Sequence, residues 1–397
     1  MNQEAVFSFV VCFGVLFRLF KVNPLELISK KQELLLEFSE LLTDSEKLRA
    51  LNDPHSKRPP RWCGITVHFT VNCPFRCAYC YIEDMGFSFN DPRPYSLSGK
   101  ELAYALLSNP TFLLGRTGTL LAIGAVSEPF IFFNEALDKI SWLARLGNPI
   151  QFSTKQYISS SLAQKLANIS LEYNAPISPL ITIITLQNYD ALEKYAPPPE
   201  KRFDSIKNLR DAGLRPVLFL RPIIPGVNLN EIEKIVRKAK DSGAVGVVVG
   251  GFRVTTKILE RLESEGINTR EIKARLKKID DVQRNVPLPE KKNILRQIRV
   301  VGLIPWASAC CANSWNANVP CPSACFISGP CTKCPNMCSY PNDCPDAKLV
   351  EDALLKLGVK VRVHGSKVKL LNYPFKGVEM LVRNISRRPV IPAHRSR

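Results

Sequence analysis

The sequence predicts an α/β protein built on six βα units, and three observations carry that prediction. Six short β-rich runs, at 65–71, 120–125, 150–154, 181–186, 217–222 and 245–250, are separated by segments of helical periodicity. Strands that alternate with helices build a parallel sheet through right-handed crossovers, so six in succession suit either a doubly wound sheet or a curved partial barrel. In the first run Thr66, His68, Thr70 and Asn72 alternate with Ile65, Val67, Phe69 and Val71. A polar face of this kind suits a solvated lumen. The composition, 45% hydrophobic and 23% charged over 397 residues, supports a sizeable core and excludes a disordered chain.

Along the chain, Ala5 to Phe17 is almost wholly apolar. It is too short to span a membrane, and the order of charges (Glu4 before it, Arg18 and Lys21 after it) is the reverse of a signal peptide. The expectation is a buried or interfacial helix, or an extension outside the fold, with no stable membrane insertion. Residues 24–50 carry apolar positions at helical spacing (Leu25, Ile28, Leu34, Leu35, Phe38, Leu41), and a Pro/Lys/Arg-rich linker follows at 52–61. Residues 1–60 are thus a helical lead-in and 61–300 the barrel-like body, whose last part, 256–299, reads as highly charged helix. Residues 301–350 are a cysteine-rich region where Pro, Asn and Ser forbid long regular elements, so that a metal would have to organise it. In the basic segment 351–397, Val359 to Leu370 alternates on either side of Gly365, which predicts a hairpin with Lys360, Arg362, Lys367 and Lys369 on one face. His68, a lone histidine on a strand, reads as a hydrogen-bonded structural residue.

Charge and cysteine content bound the function. The formal net charge of +18 suggests an acidic partner: nucleic acid, an anionic surface or a polyphosphate-like ligand. Eleven Lys/Arg against three Asp/Glu fall after residue 350. A ribbon like the 359–370 hairpin could track the phosphates of RNA or DNA, or simply be a solvated face. Of thirteen cysteines, Cys73, Cys77 and Cys80 form one group and eight lie between Cys310 and Cys344, with Cys12 and Cys63 apart. A secreted disulfide scaffold is normally short and led by a signal peptide, so metal ligation in a reducing, cytoplasmic compartment is the expectation, with disulfides in the second group as the alternative.

The run Cys73-Pro-Phe-Arg-Cys77-Ala-Tyr-Cys80 has C-x3-C-x2-C spacing directly after the first strand. Three thiolates leave a four-iron cluster one iron short of full cysteine ligation, free to bind another molecule. A zinc knuckle completed by a distant residue is the plainer alternative. The loop resembles the signature of the radical S-adenosylmethionine superfamily. That resemblance implies a partial (β/α)6 barrel, a [4Fe-4S] cluster on the three cysteines, a low-potential electron donor and S-adenosylmethionine chelated by the fourth iron. It also implies chemistry through a 5′-deoxyadenosyl radical that abstracts hydrogen from the substrate. Within the superfamily the chain is similar to the spore photoproduct lyase-like branch through Gly124-Ala-Val-Ser127-Glu128-Pro129, Ser-Thr-Lys155, the run from Glu193 to Arg202, and Arg221 to Asn228. The resemblance implies cofactor contacts at Tyr79, Gly124, Ser127, Glu128, Lys155 and Arg221, with Lys155 directed at the cofactor carboxylate. Read as residues alone, Glu128 could instead serve the following helix and Lys155 be a surface charge. The branch places a hydrogen-donating cysteine beside the second-strand turn, where this chain has Ala125, Val126 and Ser127, so repair of a thymine photoproduct is not implied.

In the second group Cys331, Cys334, Cys338 and Cys344 are close enough in sequence to hold one centre, an auxiliary [4Fe-4S] cluster or a zinc; Cys310, Cys311, Cys321 and Cys325 could hold another. Similar C-terminal clusters occur in radical S-adenosylmethionine enzymes that modify peptides. Three functions remain open at this level: a radical enzyme acting on nucleic acid, one acting on peptide or protein, and a non-catalytic, metal-stabilised nucleic-acid-binding protein.

Overall fold

The computed structural model describes residues 23–61, 64–319 and 345–392. The lead-in is two helices. Asn23 caps α1 (Pro24–Glu40), with Pro24 in its first turn, and a capping box between Thr43 and Glu46 starts α2 (Asp44–Asn52). The expected linker begins with a 3-10 turn, Pro54–Ser56, in which His55 and Ser56 are buried. There His55 Nδ1 lies 2.6 Å from Asp53 Oδ1, and the Tyr95 hydroxyl donates to Asp53 Oδ2 at 2.6 Å. His68 stacks on Tyr95, ring centroids 5.7 Å apart, and its backbone N–H donates to His55 Nε2. His68 is therefore part of this polar cluster.

Seven strands form one parallel sheet in strict chain order: β1 (Ile65–Val67), β2 (Leu121–Ile123), β3 (Ile150–Thr154), β4 (Ile177–Thr182), β5 (Val217–Ile223), β6 (Gly246–Gly251) and β7 (Ile304–Trp306). Between and after them run α3 (Gly99–Ser108), α4 (Phe133–Ala144), α5 (Ser160–Glu172), α6 (Pro199–Asp211), α7 (Ile232–Asp241), α8 (Thr256–Ser264), α9 (Lys291–Val301) and α10 (Ala309–Ala317). With strands in chain order, right-handed crossovers keep the connecting helices on one face while α10 packs on the other, and the sheet curls into an open partial barrel rather than a doubly wound layer. Both faces of the sheet are covered: β4 is buried throughout, β6 at all but its last residue. The core joins these strands to α3, whose residues from Glu101 to Leu107 are all buried.

Three strand expectations change. The first run splits, because Thr70–Val71 leaves β1 and pairs antiparallel with Arg93–Pro94. The fourth strand starts at Ile177, four residues early. Pro179 lies in it but pairs toward β3, before β5 joins at Leu180, so its missing N–H interrupts no ladder on the β5 side. The apolar continuation leaves the sheet, and the Glu231 carboxylate takes the Leu186 and Gln187 N–H groups and the Thr185 hydroxyl instead. A seventh strand, β7, adds to the edge beyond β6. Pro305 disguises it in the sequence, and an edge tolerates it. Trp306 is fully buried against Gly246, where a Cβ would stand 2.2 Å from the indole.

The basic segment holds α11 (Ala347–Lys356), the expected hairpin β8 (Val361–His364) and β9 (Lys367–Leu370), then α12 (Val378–Ser386) and β10 (Val390–Ile391). The two helices were not anticipated. Their apolar faces pack with Val361, Val368 and Leu370 into one cluster that includes Leu113 of the barrel. Arg362, His364, Lys367 and Lys369 are exposed on the other face of the hairpin, with Lys360 exposed just before it. The apolar run 5–17 and the cysteines Cys321, Cys325, Cys331, Cys334, Cys338 and Cys344 lie outside the described residues. Among the described residues no helix is long and apolar enough to cross a membrane.

Candidate active site

A cleft enclosing about 910 Å³, open mouth included, lies over the C-terminal ends of the barrel strands. Nine residues of the cysteine loop and the strand ends line it: Cys73, Cys77, Cys80, Tyr79, Gly124, Ser127, Glu128, Lys155 and Arg221. Strand ends in an open parallel sheet converge on such a crevice, which is why residues from four βα units meet there.

The cysteine loop is tightly pinned. Asn72 and Arg76 take left-handed backbone conformations, at φ 66° and 46°, which turn the chain on either side of Cys73. The Cys73 N–H donates to Ser88 O at 3.0 Å, the Ser88 N–H to Asn72 Oδ1 at 2.9 Å, and the Ala78 N–H to Leu192 O at 3.0 Å. Cys77 is buried; Cys73 and Cys80 are half-buried. Burial pushes the Cys73 thiol up to about 11 and the Cys77 thiol up to about 12, and raises Cys80 as well. As free thiols these groups are neutral at pH 7.

Gly124 ends β2 at φ 83°, where a Cβ would stand 2.3 Å from Ser153 O, so the turn into Ser127 requires glycine. The Glu128 carboxylate does not cap α4. One oxygen accepts from the Thr154 hydroxyl at 2.5 Å and the Phe130 N–H at 3.2 Å, the other from the Lys155 N–H at 3.0 Å. It joins the second-strand turn to the end of β3. Burial raises its pKa despite these donors.

Lys155 is not a surface charge. Its Nζ lies 3.9 Å from Glu193 Oε1 and 5.5 Å from the Tyr79 ring centroid. Burial works against its charge, but Cys77 and Glu193 outweigh burial and raise its pKa. Glu193 also accepts from the Tyr79 hydroxyl and pairs with Arg202, both partners fully buried. Arg202 further donates to Pro197 O at 2.6 Å and Thr182 O at 3.2 Å. The quoted run from Glu193 to Arg202 thus supplies the counter-ion beneath Tyr79 and Lys155, a role invisible in the run itself. Sequence reasoning also missed the cleft residues Phe89, Phe219, Phe252 and Arg253, which no motif flags, and Arg261 of α8, which grips the loop from behind.

The donor set suits a polynuclear cluster. Among the described residues no three His, Cys, Asp or Glu side chains converge on the position of a single metal ion. Cys73, Cys77 and Cys80 line one cleft, and three thiolates leave a four-iron cluster one iron short of full cysteine ligation.

A family model described as the radical SAM superfamily matches residues 67–239, from β1 through α7. The chain has a radical S-adenosylmethionine domain. A domain of that superfamily implies a [4Fe-4S] cluster and S-adenosylmethionine. Among curated proteins it is 22% identical over 199 residues to the uncharacterized protein ORF301 of Acidianus two-tailed virus; the match covers 45% of this chain and 64% of that protein, less than two thirds of its length. Among solved structures it is similar to spore photoproduct lyase complexed with dinucleoside spore photoproduct (13% identity, TM-score 0.46, 60% of this chain and 74% of that one). It is also similar to Streptococcus suis SuiB bound to S-adenosylmethionine (15% identity, TM-score 0.36, 54% and 48%).

Proposed function

We propose that this radical S-adenosylmethionine enzyme cleaves its cofactor reductively at a [4Fe-4S] cluster on Cys73, Cys77 and Cys80 and abstracts hydrogen from a nucleic acid or a nucleic-acid-bound substrate. The observation that supports this reading is the convergence of the three thiols, the Gly124–Glu128 turn, Lys155 and Arg221 on one cleft. When bound, the cluster and cofactor supply one-electron reduction of a sulfonium and a 5′-deoxyadenosyl radical.

The protein's own residues do the rest. Cys73, Cys77 and Cys80 would hold the cluster through three thiolates. Lys155, held over Tyr79 by Glu193, would neutralise the cofactor carboxylate, and the turn at Gly124–Ser127 would receive its amino group. Glu128 holds that turn to β3, so both contacts come from one rigid unit. Phe75, Phe89, Phe219 and Phe252 wall the cleft and keep water from the radical.

Two features favour nucleic acid over peptide. Arg221 and Arg253 stand at a cleft whose lining has one carboxylate, Glu128, already committed to β3. The hairpin β8–β9 adds four exposed basic or imidazole side chains on one face. The reading carries with it a low-potential electron donor, a cytoplasmic location and an auxiliary centre on Cys331, Cys334, Cys338 and Cys344.

Anaerobic reconstitution followed by reduction with dithionite tests the chemistry. The wild type is expected to release 5′-deoxyadenosine and Cys77→Ala to release none. Cluster loading without 5′-deoxyadenosine, unchanged by Cys77→Ala, would sink the enzymatic mechanism. Tight binding of peptide with no salt-sensitive binding of oligonucleotide would reverse the substrate preference.

A further inference from the structure

The cysteine loop follows β1, at one edge of the sheet, whereas α8 follows β6, next to the opposite edge. Among the described residues no strand pairing joins those edges, so the sheet is open between them. The two are nevertheless tied, most directly through one side chain. Arg261 of α8 donates from Nε to Ala78 O at 3.2 Å, from one terminal nitrogen to Cys80 O and from the other to the Glu83 carboxylate, while its guanidinium lies 5.1 Å from the Phe89 ring centroid. Thr255, the N-cap of α8, adds a hydroxyl contact to Asp84 at 3.3 Å. Ile258, Leu259 and Leu262 on the same helix share a buried apolar cluster with Phe75, Cys77, Ala78 and Tyr79. Arg261 lies outside the segment that matches the superfamily.

We propose that Arg261 is a positioning residue, latching the cysteine loop across the open side of the barrel and placing positive charge behind Cys80, so that it sets both the orientation and the reduction potential of the cluster site. The inference rests on the cluster assignment proposed above. Carbonyls on either side of Tyr79 accept from a single planar guanidinium, so the Ala78–Tyr79 and Cys80–Tyr81 peptide planes, which flank Tyr79 and Cys80, cannot rotate independently. Three differently directed acceptors match the fork of an arginine and not the point charge of a lysine. A reduced cluster carries one more negative charge than an oxidised one, and a nearby cation favours the reduced form. Glu83 partly cancels that cation, so the two residues act in opposite directions.

The test uses the full chain, reconstituted anaerobically, as wild type, Arg261→Met, Arg261→Lys and Glu83→Gln. Iron and sulfide content, the EPR-monitored midpoint potential, and the change in the reduced EPR signal on adding S-adenosylmethionine are measured. Arg261→Met is expected to shift the potential negative and broaden the cofactor-induced signal, and Glu83→Gln to shift the potential positive. Arg261→Lys restores the potential while leaving the signal broadened. Potentials and signals that superimpose on the wild type in both Arg261→Met and Glu83→Gln overturn the inference. If Arg261→Met does not fold, Glu83→Gln decides alone: a positive shift supports the latch and an unchanged potential overturns it. A wild-type cluster whose signal ignores S-adenosylmethionine would instead sink the proposed function, while a responsive wild type beside unshifted variants sinks only the latch.

Discussion

Glu193 and Arg202 show how one buried pair can organise a cleft without lining it. Both are fully buried, and Glu193 also serves Tyr79 and Lys155. Removing one partner leaves an uncompensated charge in the interior, so Arg202→Met is expected to cost about 3–5 kcal/mol of unfolding free energy, read from urea titration. Lys155→Met is a different case, since it removes the cation assigned to the cofactor carboxylate. It should weaken S-adenosylmethionine binding at least tenfold, by calorimetry, with iron content retained. The thiols carry a pH consequence. Burial holds Cys73 at about 11 and Cys77 at about 12, so each must lose a proton to ligate iron. Iron uptake by the apoprotein should therefore release protons and tighten as pH rises from 6 to 9. Uptake independent of pH would contradict ligation by these residues.

At the scale of elements, the turn Pro54–Ser56 and the start of the 93–94 pairing are joined through His55, Asp53, Tyr95 and His68. Burial, with His55 and Arg58 nearby, lowers the His68 pKa to about 3 from an ordinary value of 6.5. The folded state thus keeps this imidazole neutral while the unfolded chain protonates it. Its contribution is intact above pH 6.5 and is lost as pH falls from 6.5 toward 3, with a slope of at most about 1.4 kcal/mol per pH unit. Replacing His68 with Phe should flatten the acid limb of the stability profile over that window, measured by urea unfolding at a series of pH values. The elements themselves were mostly legible. Six runs correspond to β1–β6, because buried parallel strands read as β-branched bursts between helices. The displaced start of β4 and the unforeseen β7 share one cause: a proline inside each strand, acceptable only because each lies where a neighbouring ladder is absent. That is a fact about neighbours, which local pattern does not contain.

For the whole molecule, the charge and the chemistry occupy different places. The cleft lies over the barrel, whereas the exposed basic face of β8–β9 belongs to a small α/β layer resting on the barrel through Leu113. If that face tracks phosphates, oligonucleotide affinity falls steeply with salt. Changing Arg362, Lys367 and Lys369 together to Gln should then flatten the slope of log K against log salt by up to about 2–3, without altering 5′-deoxyadenosine release in the absence of substrate.

The sequence by itself determined where the side chains assigned to the proposed chemistry stand along the chain. Three cysteines at x3 and x2 spacing after a strand are a local arrangement, and so are a glycine that must take positive φ and a lysine that closes a strand; these are written in a few contiguous residues. Tertiary structure alone decided what holds that chemistry in place. Glu193 and Arg202 under Tyr79, the Glu128 carboxylate on β3 and Arg261 reaching 181 residues back to Cys80 are contacts across strands or across the open barrel. Their residue types are common, and their partners are chosen by the curl of the sheet, which no window of sequence records.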